Sequence, residues 1–215
     1  MTNTFSQTLF QEAPLVGIMR NVPPPAMHKI AECYLKAGLT TLEITLNSEK
    51  ALSTIETLTE KYGGQLNIGA GTVLNLKELE QALSAGAQFI VTPVLKKSVV
   101  SHCAEKRIPV FPGAYTPTEI HKAWEMGADM VKVFPAAGLG ADYIKDVLAP
   151  MRFLKLLPTG GVNLDNCRDF FQAGATGVAL GSSLFPKTLI QHENWGDLTK
   201  LFEQFRILLQ ECRNN

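Results

Sequence analysis

The sequence lacks the features that define secreted, membrane and nucleic-acid-binding proteins. Its four cysteines are scattered and form no C-x-x-C pair, which argues against a disulfide framework or a zinc site. Lysine plus arginine and aspartate plus glutamate number 20 each, so neither nucleic acid nor an anionic membrane is an expected partner. No run reaches the roughly 18 apolar residues of a membrane span, and the amino terminus has no signal-peptide pattern. We therefore expect a cytoplasmic protein.

Several catalytic patterns are also missing. The four histidines form no H-x-H or H-E-x-x-H motif, and no G-x-S-x-G nucleophile elbow occurs. The segment IGAGTVLN has G-x-G after a predicted strand but lacks the third glycine of a dinucleotide fingerprint. The sequence accordingly predicts neither a metal ion nor a cofactor.

A repeating pattern organises the chain. The segments KAGLTTLEITL, SAGAQFIVTP, EMGADMVKVFP and QAGATGVALGS each pass from a helix end through a glycine into an apolar strand. Strands that alternate with helices indicate βαβ units and a parallel sheet. The predicted strands are Pro14–Met19, Thr41–Leu46, Asn67–Ala70, Phe89–Thr92, Val110–Pro112, Met130–Phe134, Lys155–Pro158 and Gly177–Leu180.

Eight such units predict a compact (β/α)8 (TIM) barrel that forms a single domain over residues 1–215. Residues 1–13 are then an N-terminal cap segment, and apolar residues at helical spacing predict a C-terminal helix over 195–210. The rival fold, an open doubly wound sheet, is disfavoured by the incomplete glycine fingerprint.

Lys132 lies in the middle of the predicted sixth strand, DMVKVFPAA. Period-2 alternation places it on the inner face with Met130 and Phe134, and places Glu43 on the inner face of the second strand. A buried ion pair without chemistry is one explanation, although such pairs contribute little stability. The other is a nucleophilic lysine whose pKa is lowered by burial, with Glu43 moving protons.

Two glycine-containing motifs follow the seventh and eighth predicted strands, PTGGV and LGSSL. Loops at these positions of a barrel commonly bind phosphate through backbone N–H groups. Either motif alone fits an ordinary turn, but the two together favour a phosphate site. Its predicted residues are Gly160, Gly161, Gly181, Ser182 and Ser183.

The motifs LEITL, IGAGTVL, FIVTP, VFPGAYTPTE, VKVFPAA, LLPTGGV and ALGSSLF occur in an order that resembles the class I 2-keto-3-deoxy-6-phosphogluconate (KDPG) / 4-hydroxy-2-oxoglutarate (KHG) aldolases. The resemblance implies a metal-free barrel, commonly a homotrimer, that cleaves a phosphorylated keto acid to pyruvate and glyceraldehyde 3-phosphate. It implies an imine on Lys132, acid–base catalysis by Glu43 and pyruvate-carboxylate binding by Thr72. It also implies a pocket lined by Pro93 and Phe134, and a phosphate site at the glycines and serines of PTGGV and LGSSL.

One position departs from the gluconate-type pattern. An arginine usually follows the second strand in those enzymes, whereas this chain has Asn47-Ser48, which resembles galactonate-type relatives. In those relatives an arginine ends the first strand, and Arg20 occupies that place here. Gluconate, galactonate and hydroxyglutarate specificities therefore remain open, as do an epimerase- or synthase-type barrel enzyme and a non-catalytic sugar-phosphate binder.

Overall fold

A computed structural model describes residues 4–213, in which parallel strands alternate with helices. The strands are β1 Leu15–Met19, β2 Thr41–Thr45, β3 Asn67–Gly71, β4 Ile90–Thr92, β5 Val110–Ala114, β6 Val131–Val133, β7 Leu156–Pro158 and β8 Val178–Leu180. The helices are α1 Gln7–Glu12, α2 Pro24–Lys36, α3 Ala51–Tyr62, α4 Leu76–Ser84, α5 Lys97–Lys106, α6 Pro117–Glu125, α7 Gly140–Leu148, α8 Cys167–Gln172, α9 Lys187–Gln191 and α10 Trp195–Arg213.

The strands form one closed sheet. Their order is β7-β6-β5-β4-β3-β2-β1-β8, and β7 meets β8 through a parallel bridge between Thr159 and Ala179. The N–H of Thr176 also donates to the carbonyl of Leu156 at 2.9 Å across the same seam. The predicted (β/α)8 barrel is confirmed, and the carboxyl ends of its strands form one rim.

Local side-chain chemistry explains one boundary that differs from prediction. The sequence pattern predicts a helix over Leu164–Ala173, but helix α8 begins at Cys167. The Asn163 side chain accepts hydrogen bonds from the N–H groups of Asp165 and Asn166, and the Asn166 side chain accepts one from the N–H of Asn163. These bonds favour a turn over a helix, so the helix starts after them.

The barrel interior is apolar at the amino-terminal end of the strands. Phe10 of α1 packs into this interior cluster, and Phe5 contacts Phe89 and Phe111 edge to face. Backbone groups of Ser6 exchange two hydrogen bonds with the Asn67 side chain. The N-terminal segment therefore closes this end. The cluster comprises Phe10, Val16, Ile18, Phe89, Val91, Phe111, Met130, Leu157 and Ala179.

Helices cover the outside of the barrel. The long α10 buries Leu198, Phe202, Phe205 and Leu209, and the Tyr34 ring of α2 meets Phe202 edge to face at 5.2 Å. No helix within residues 4–213 has the length and hydropathy needed to cross a bilayer.

Candidate active site

Lys132 and Glu43 face each other inside the barrel. Lys132 lies on β6, paired in register with Gly113 on one side and Leu157 on the other. Only 3% of its surface is exposed. Glu43 on β2 is 0% exposed. The Nζ of Lys132 lies 3.9 Å from Oε2 of Glu43. An amine and a carboxyl group are thus brought together in a site that excludes most water.

Burial shapes the proton affinity of Lys132. Loss of hydration lowers the pKa of its amine below the usual 10.5, the nearby Glu43 carboxylate opposes this shift, and the positive charge of Arg20 adds to it. The Phe134 ring lies 5.5 Å from Nζ and contributes an apolar wall. The net lowering favours a neutral amine, which is the nucleophilic form.

The carboxylate of Glu43 is buried without hydrogen bonds. Neither Oε1 nor Oε2 has a hydrogen-bond partner among residues 4–213, although buried polar atoms are usually paired. Gly71 of β3 makes room for it, because a Cβ at that position would lie 1.8 Å from Oε1. The carboxylate therefore keeps its acceptor sites available for a ligand or a mobile proton.

Gly71→Ala is expected to displace Glu43, since the added methyl group occupies the position of Oε1. Misplacing a catalytic group by about 1 Å costs on the order of 100-fold in rate, so we expect kcat for the cleavage that the motif resemblance implies to fall by about that factor. Steady-state kinetics measure the effect. Gly64→Ala is the matched control, because a Cβ there meets nothing within 4 Å, and an equal loss in both variants would contradict the steric explanation.

A cavity of about 550 Å³ opens at the carboxyl rim, between the loops after β1, β7 and β8; Lys132 and Glu43 are not among its lining residues. Phe134 lines the cavity and also lies against Lys132, so the buried amine lies one side chain away from the cavity. Of the residues predicted from the sequence, the cavity wall contains Arg20, Phe134, Gly160, Gly161, Gly181, Ser182 and Ser183.

The two glycine loops form one side of the cavity. Gly160 and Gly161 both have positive φ, at 87° and 80°, and a Cβ on Gly161 would lie 2.4 Å from the Cβ of Ala137. The Ser183 hydroxyl donates to the carbonyl of Val162 at 2.7 Å and so ties the loops together. Because that proton is already used, the Ser183 side chain acts as a brace between the loops.

Thr72 and Pro93 also lie at the carboxyl rim. Thr72 directly follows the Gly71 that contacts Glu43, and its φ of 60° is unusual for a β-branched residue. The carbonyl of Pro93 lies against Gly113, where a Cβ would approach it to 2.2 Å, and Gly113 is paired with Lys132. Both residues are half-buried, and neither lines the cavity.

The family model for "KDPG and KHG aldolase" matches residues 7–201. The chain belongs to this family. The 2-dehydro-3-deoxy-phosphogluconate aldolase of Haemophilus influenzae is 41% identical over 177 residues, which cover 81% of this chain and 82% of that protein. The 2-dehydro-3-deoxy-6-phosphogalactonate aldolase of Escherichia coli is 34% identical over 173 residues, or 80% of this chain and 84% of its own length.

A solved structure connects the KDPG/KHG aldolase fold to its chemistry. KDPG aldolase from Legionella pneumophila, with pyruvate captured at low pH as a covalent carbinolamine intermediate, superposes with a TM-score of 0.83 at 27% identity. The match covers 91% of this chain and 95% of that structure. The resemblance read from the motifs is thereby confirmed at the level of family and fold.

Sequence reasoning missed several residues that line the cavity of this KDPG/KHG aldolase. Lys187 and Gln191 reach it from α9, and Asn21 and Asn163 from the loops after β1 and β7. The basic side chains among the described lining residues are Arg20 and Lys187, and these lining residues include no Asp or Glu. The short helix that follows the eighth strand of many barrels was the available signal for Lys187.

Proposed function

We propose that this chain is a class I aldolase that cleaves 2-keto-3-deoxy-6-phosphogluconate to pyruvate and glyceraldehyde 3-phosphate through an imine on Lys132. The observation that carries the proposal is the buried Lys132–Glu43 pair, 3.9 Å apart, next to Phe134, which also lines the cavity walled by the two glycine loops. Membership of the KDPG/KHG aldolase family supports the reaction class.

The first half of the cycle forms the imine. The neutral Nζ of Lys132 attacks the C2 ketone of the substrate, and the carbinolamine loses water to give an iminium ion. Glu43, whose carboxylate has no competing hydrogen bond within residues 4–213, accepts and returns the protons of these steps. The iminium nitrogen then serves as the electron sink for bond cleavage.

The second half breaks the C3–C4 bond. Glu43 removes the C4 hydroxyl proton, the electrons of the bond flow to the iminium nitrogen, and glyceraldehyde 3-phosphate leaves. The remaining enamine is protonated at C3 to an iminium ion. Water hydrolyses it, which releases pyruvate and regenerates the Lys132 amine.

Two anionic ends hold the substrate across the amine. Arg20 and Thr72 bind the carboxylate in this proposal, and the loops that contain Gly160, Gly161 and Ser182 bind the phosphate. The positive charge of Arg20 acts on Lys132, which is consistent with a carboxylate held beside C2. Anchoring both ends fixes the scissile bond at the amine, a positioning effect worth several orders of magnitude in rate.

Borohydride reduction in the presence of pyruvate tests the imine. We expect one reduced pyruvyl adduct per chain, mapped to Lys132 by peptide mass analysis. An adduct on another lysine, or none, would contradict the mechanism and favour an epimerase- or synthase-type barrel enzyme or a sugar-phosphate binder.

Substrate choice is tested by comparing three compounds. We propose the gluconate-type phosphate as the preferred substrate, ahead of the galactonate-type phosphate and 4-hydroxy-2-oxoglutarate, despite the galactonate-type Asn47-Ser48, because the gluconate-type relative from Haemophilus influenzae is 41% identical and the galactonate-type relative from Escherichia coli 34%. The kcat/KM ratios of the three, measured by pyruvate release, decide the order, and a higher value for the galactonate-type phosphate would overturn it. The dephosphorylated gluconate analogue is expected to show a raised KM, because it leaves the glycine loops without their anion.

We also propose that the enzyme is a homotrimer. Large apolar side chains are exposed in the loops after three neighbouring strands, at Leu74, Val94 and Tyr115, and exposed apolar patches commonly mark protein interfaces. Three copies of the 23.5 kDa chain have a mass of about 70 kDa, which light scattering after gel filtration can measure. Val94→Asp is expected to yield monomers, whereas Ile207→Asp, an exposed position on α10, should leave the trimer intact; a wild-type monomer would contradict the proposal.

A cytoplasmic location completes the proposal. All four cysteines are free, and Cys33, Cys103 and Cys167 are buried. Burial raises the pKa of the Cys103 and Cys167 thiols to about 12, so these groups remain unreactive thiols. Unpaired cysteines are typical of reducing compartments.

A further inference from the structure

A serine in the turn after the neighbouring strand β2 holds the backbone that follows Arg20. Directly after Arg20, Asn21 adopts a left-handed conformation with φ of 53°. Its backbone N–H donates to the Ser48 hydroxyl oxygen at 2.9 Å. This bond spans 27 residues of sequence and fixes the backbone at the point where the Arg20 side chain leaves it.

Ser48 is itself held by the strand that carries Glu43. Its hydroxyl lies 2.9 Å from the hydroxyl of Thr45, and its backbone N–H donates to the Thr45 carbonyl at 2.9 Å. Thr45 and Ser48 are 0% and 7% exposed. A buried hydrogen-bond network of this kind limits motion more than an exposed one does.

The strand register explains why the two ends of this network belong together. Ile18 of β1 is paired with Glu43 of β2, so Arg20, the residue after β1, and Thr45, the last residue of β2, lie at the same level of the barrel. The turn after β2 exposes Asn47 and buries Ser48. Asn47, which stands where gluconate-type relatives have an arginine, is thus exposed to solvent. Its neighbour Ser48 supports the backbone next to Arg20.

We propose that Ser48 is a positioning residue that holds Arg20 in place to bind the carboxylate of the pyruvate moiety. This inference rests on the proposed aldolase function. Ser48 contacts the backbone beside Arg20 and acts through it. The carboxylate-binding cation therefore comes from the loop after β1 and its support from the turn after β2.

A double-mutant cycle on pyruvate trapping tests the inference. The initial rate of borohydride-trapped adduct formation is measured against pyruvate concentration for the wild type, Ser48→Ala, Arg20→Ala and the double variant. Losing one hydrogen bond and one charge-assisted contact should raise the half-saturating pyruvate concentration about fivefold for Ser48→Ala and about 30-fold for Arg20→Ala. The double variant should match Arg20→Ala, because residues that act through one another are not additive.

Three controls make the outcome decisive. Ser48→Thr keeps the hydroxyl and should restore near-wild-type half-saturation, and the exposed Asn47→Ala should leave it unchanged. Circular dichroism and thermal melting show whether each variant is folded. A fivefold effect of Ser48→Ala that persists in the Arg20→Ala background, or no effect of Ser48→Ala at all, would overturn the inference alone; a wild type that traps no pyruvate would overturn the proposed function and this inference with it.

Discussion

Lys132→Met is expected to lower kcat/KM for keto-acid cleavage by at least about 10⁴-fold. Methionine fills a similar volume but cannot form an imine, so the C3–C4 bond loses its electron sink, and covalent catalysis together with positioning supplies several orders of magnitude in rate. Pyruvate release measured with a coupled dehydrogenase gives the rate. Mass analysis after borohydride treatment should show no pyruvyl adduct.

Lys155→Met is the matched control for this variant. Lys155 immediately precedes β7 at the amino-terminal end of the barrel and is exposed, so its loss should change kcat/KM by less than about twofold. Residual activity of the Lys132 variant above a few per cent of wild type would contradict an imine mechanism.

Lys132→Met is also expected to change how the free energy of unfolding depends on pH. The pKa of Lys132 in the folded chain lies below the 10.5 of a free lysine. In the unfolded chain the Lys132 amine has the pKa of a free lysine, about 10.5. Between these two values the unfolded state binds more protons, so the free energy of unfolding rises with pH across that window. Lys132→Met should remove this rise and stabilise the protein at neutral pH, as urea titrations at several pH values can measure.

Glu43→Gln is expected to lower kcat about 10³-fold with little change in KM. Glutamine keeps the size of the side chain but cannot take up the protons of imine formation and C–C cleavage, and general acid–base catalysis contributes about 10²- to 10⁴-fold. Pyruvate trapping on Lys132 should persist at a reduced rate. Glu49→Gln, an exposed position after the same strand, serves as the control, and an unchanged kcat in Glu43→Gln would rule out the assigned role.

Glu43→Gln should at the same time stabilise the fold. Both carboxylate oxygens are buried without a hydrogen-bond partner in the described chain, and a charged group costs more to bury than a neutral amide. The increase in the free energy of unfolding measures the stability that the protein loses by burying the Glu43 carboxylate without a hydrogen bond. Such opposing effects on stability and activity are common at active sites.

The barrel and its central pair could be predicted because their signals are local in sequence. Glycine after each helix and an apolar strand in each repeat indicate the fold. A single lysine within an apolar strand marks Lys132 as a candidate catalytic residue. The alternation of side chains then assigns Glu43 to the same interior without knowledge of the tertiary structure. The register between strands later brings the two groups to 3.9 Å.

The rest of the site depends on contacts between segments that are distant in sequence. The fit of Gly71 against Glu43, the bond from Ser183 to Val162 and the support of Asn21 by Ser48 have no local pattern. Lys187 was missed for a related reason, because a lysine in the first turn of a short helix is usually a solvated surface residue. Its place in the cavity wall follows only once β8 and β1 are neighbours.

The closed amino-terminal end of the barrel sets the order in which substrate binds and products leave. With Phe10 in the interior and Phe5 against Phe89 and Phe111, substrate and products share one entrance at the opposite rim. In the proposed reaction the phosphorylated aldehyde lies nearer that entrance and the pyruvyl group lies deeper, bonded to Lys132. The aldehyde therefore departs first and pyruvate last, and in the synthetic direction pyruvate must load before any aldehyde can block its path.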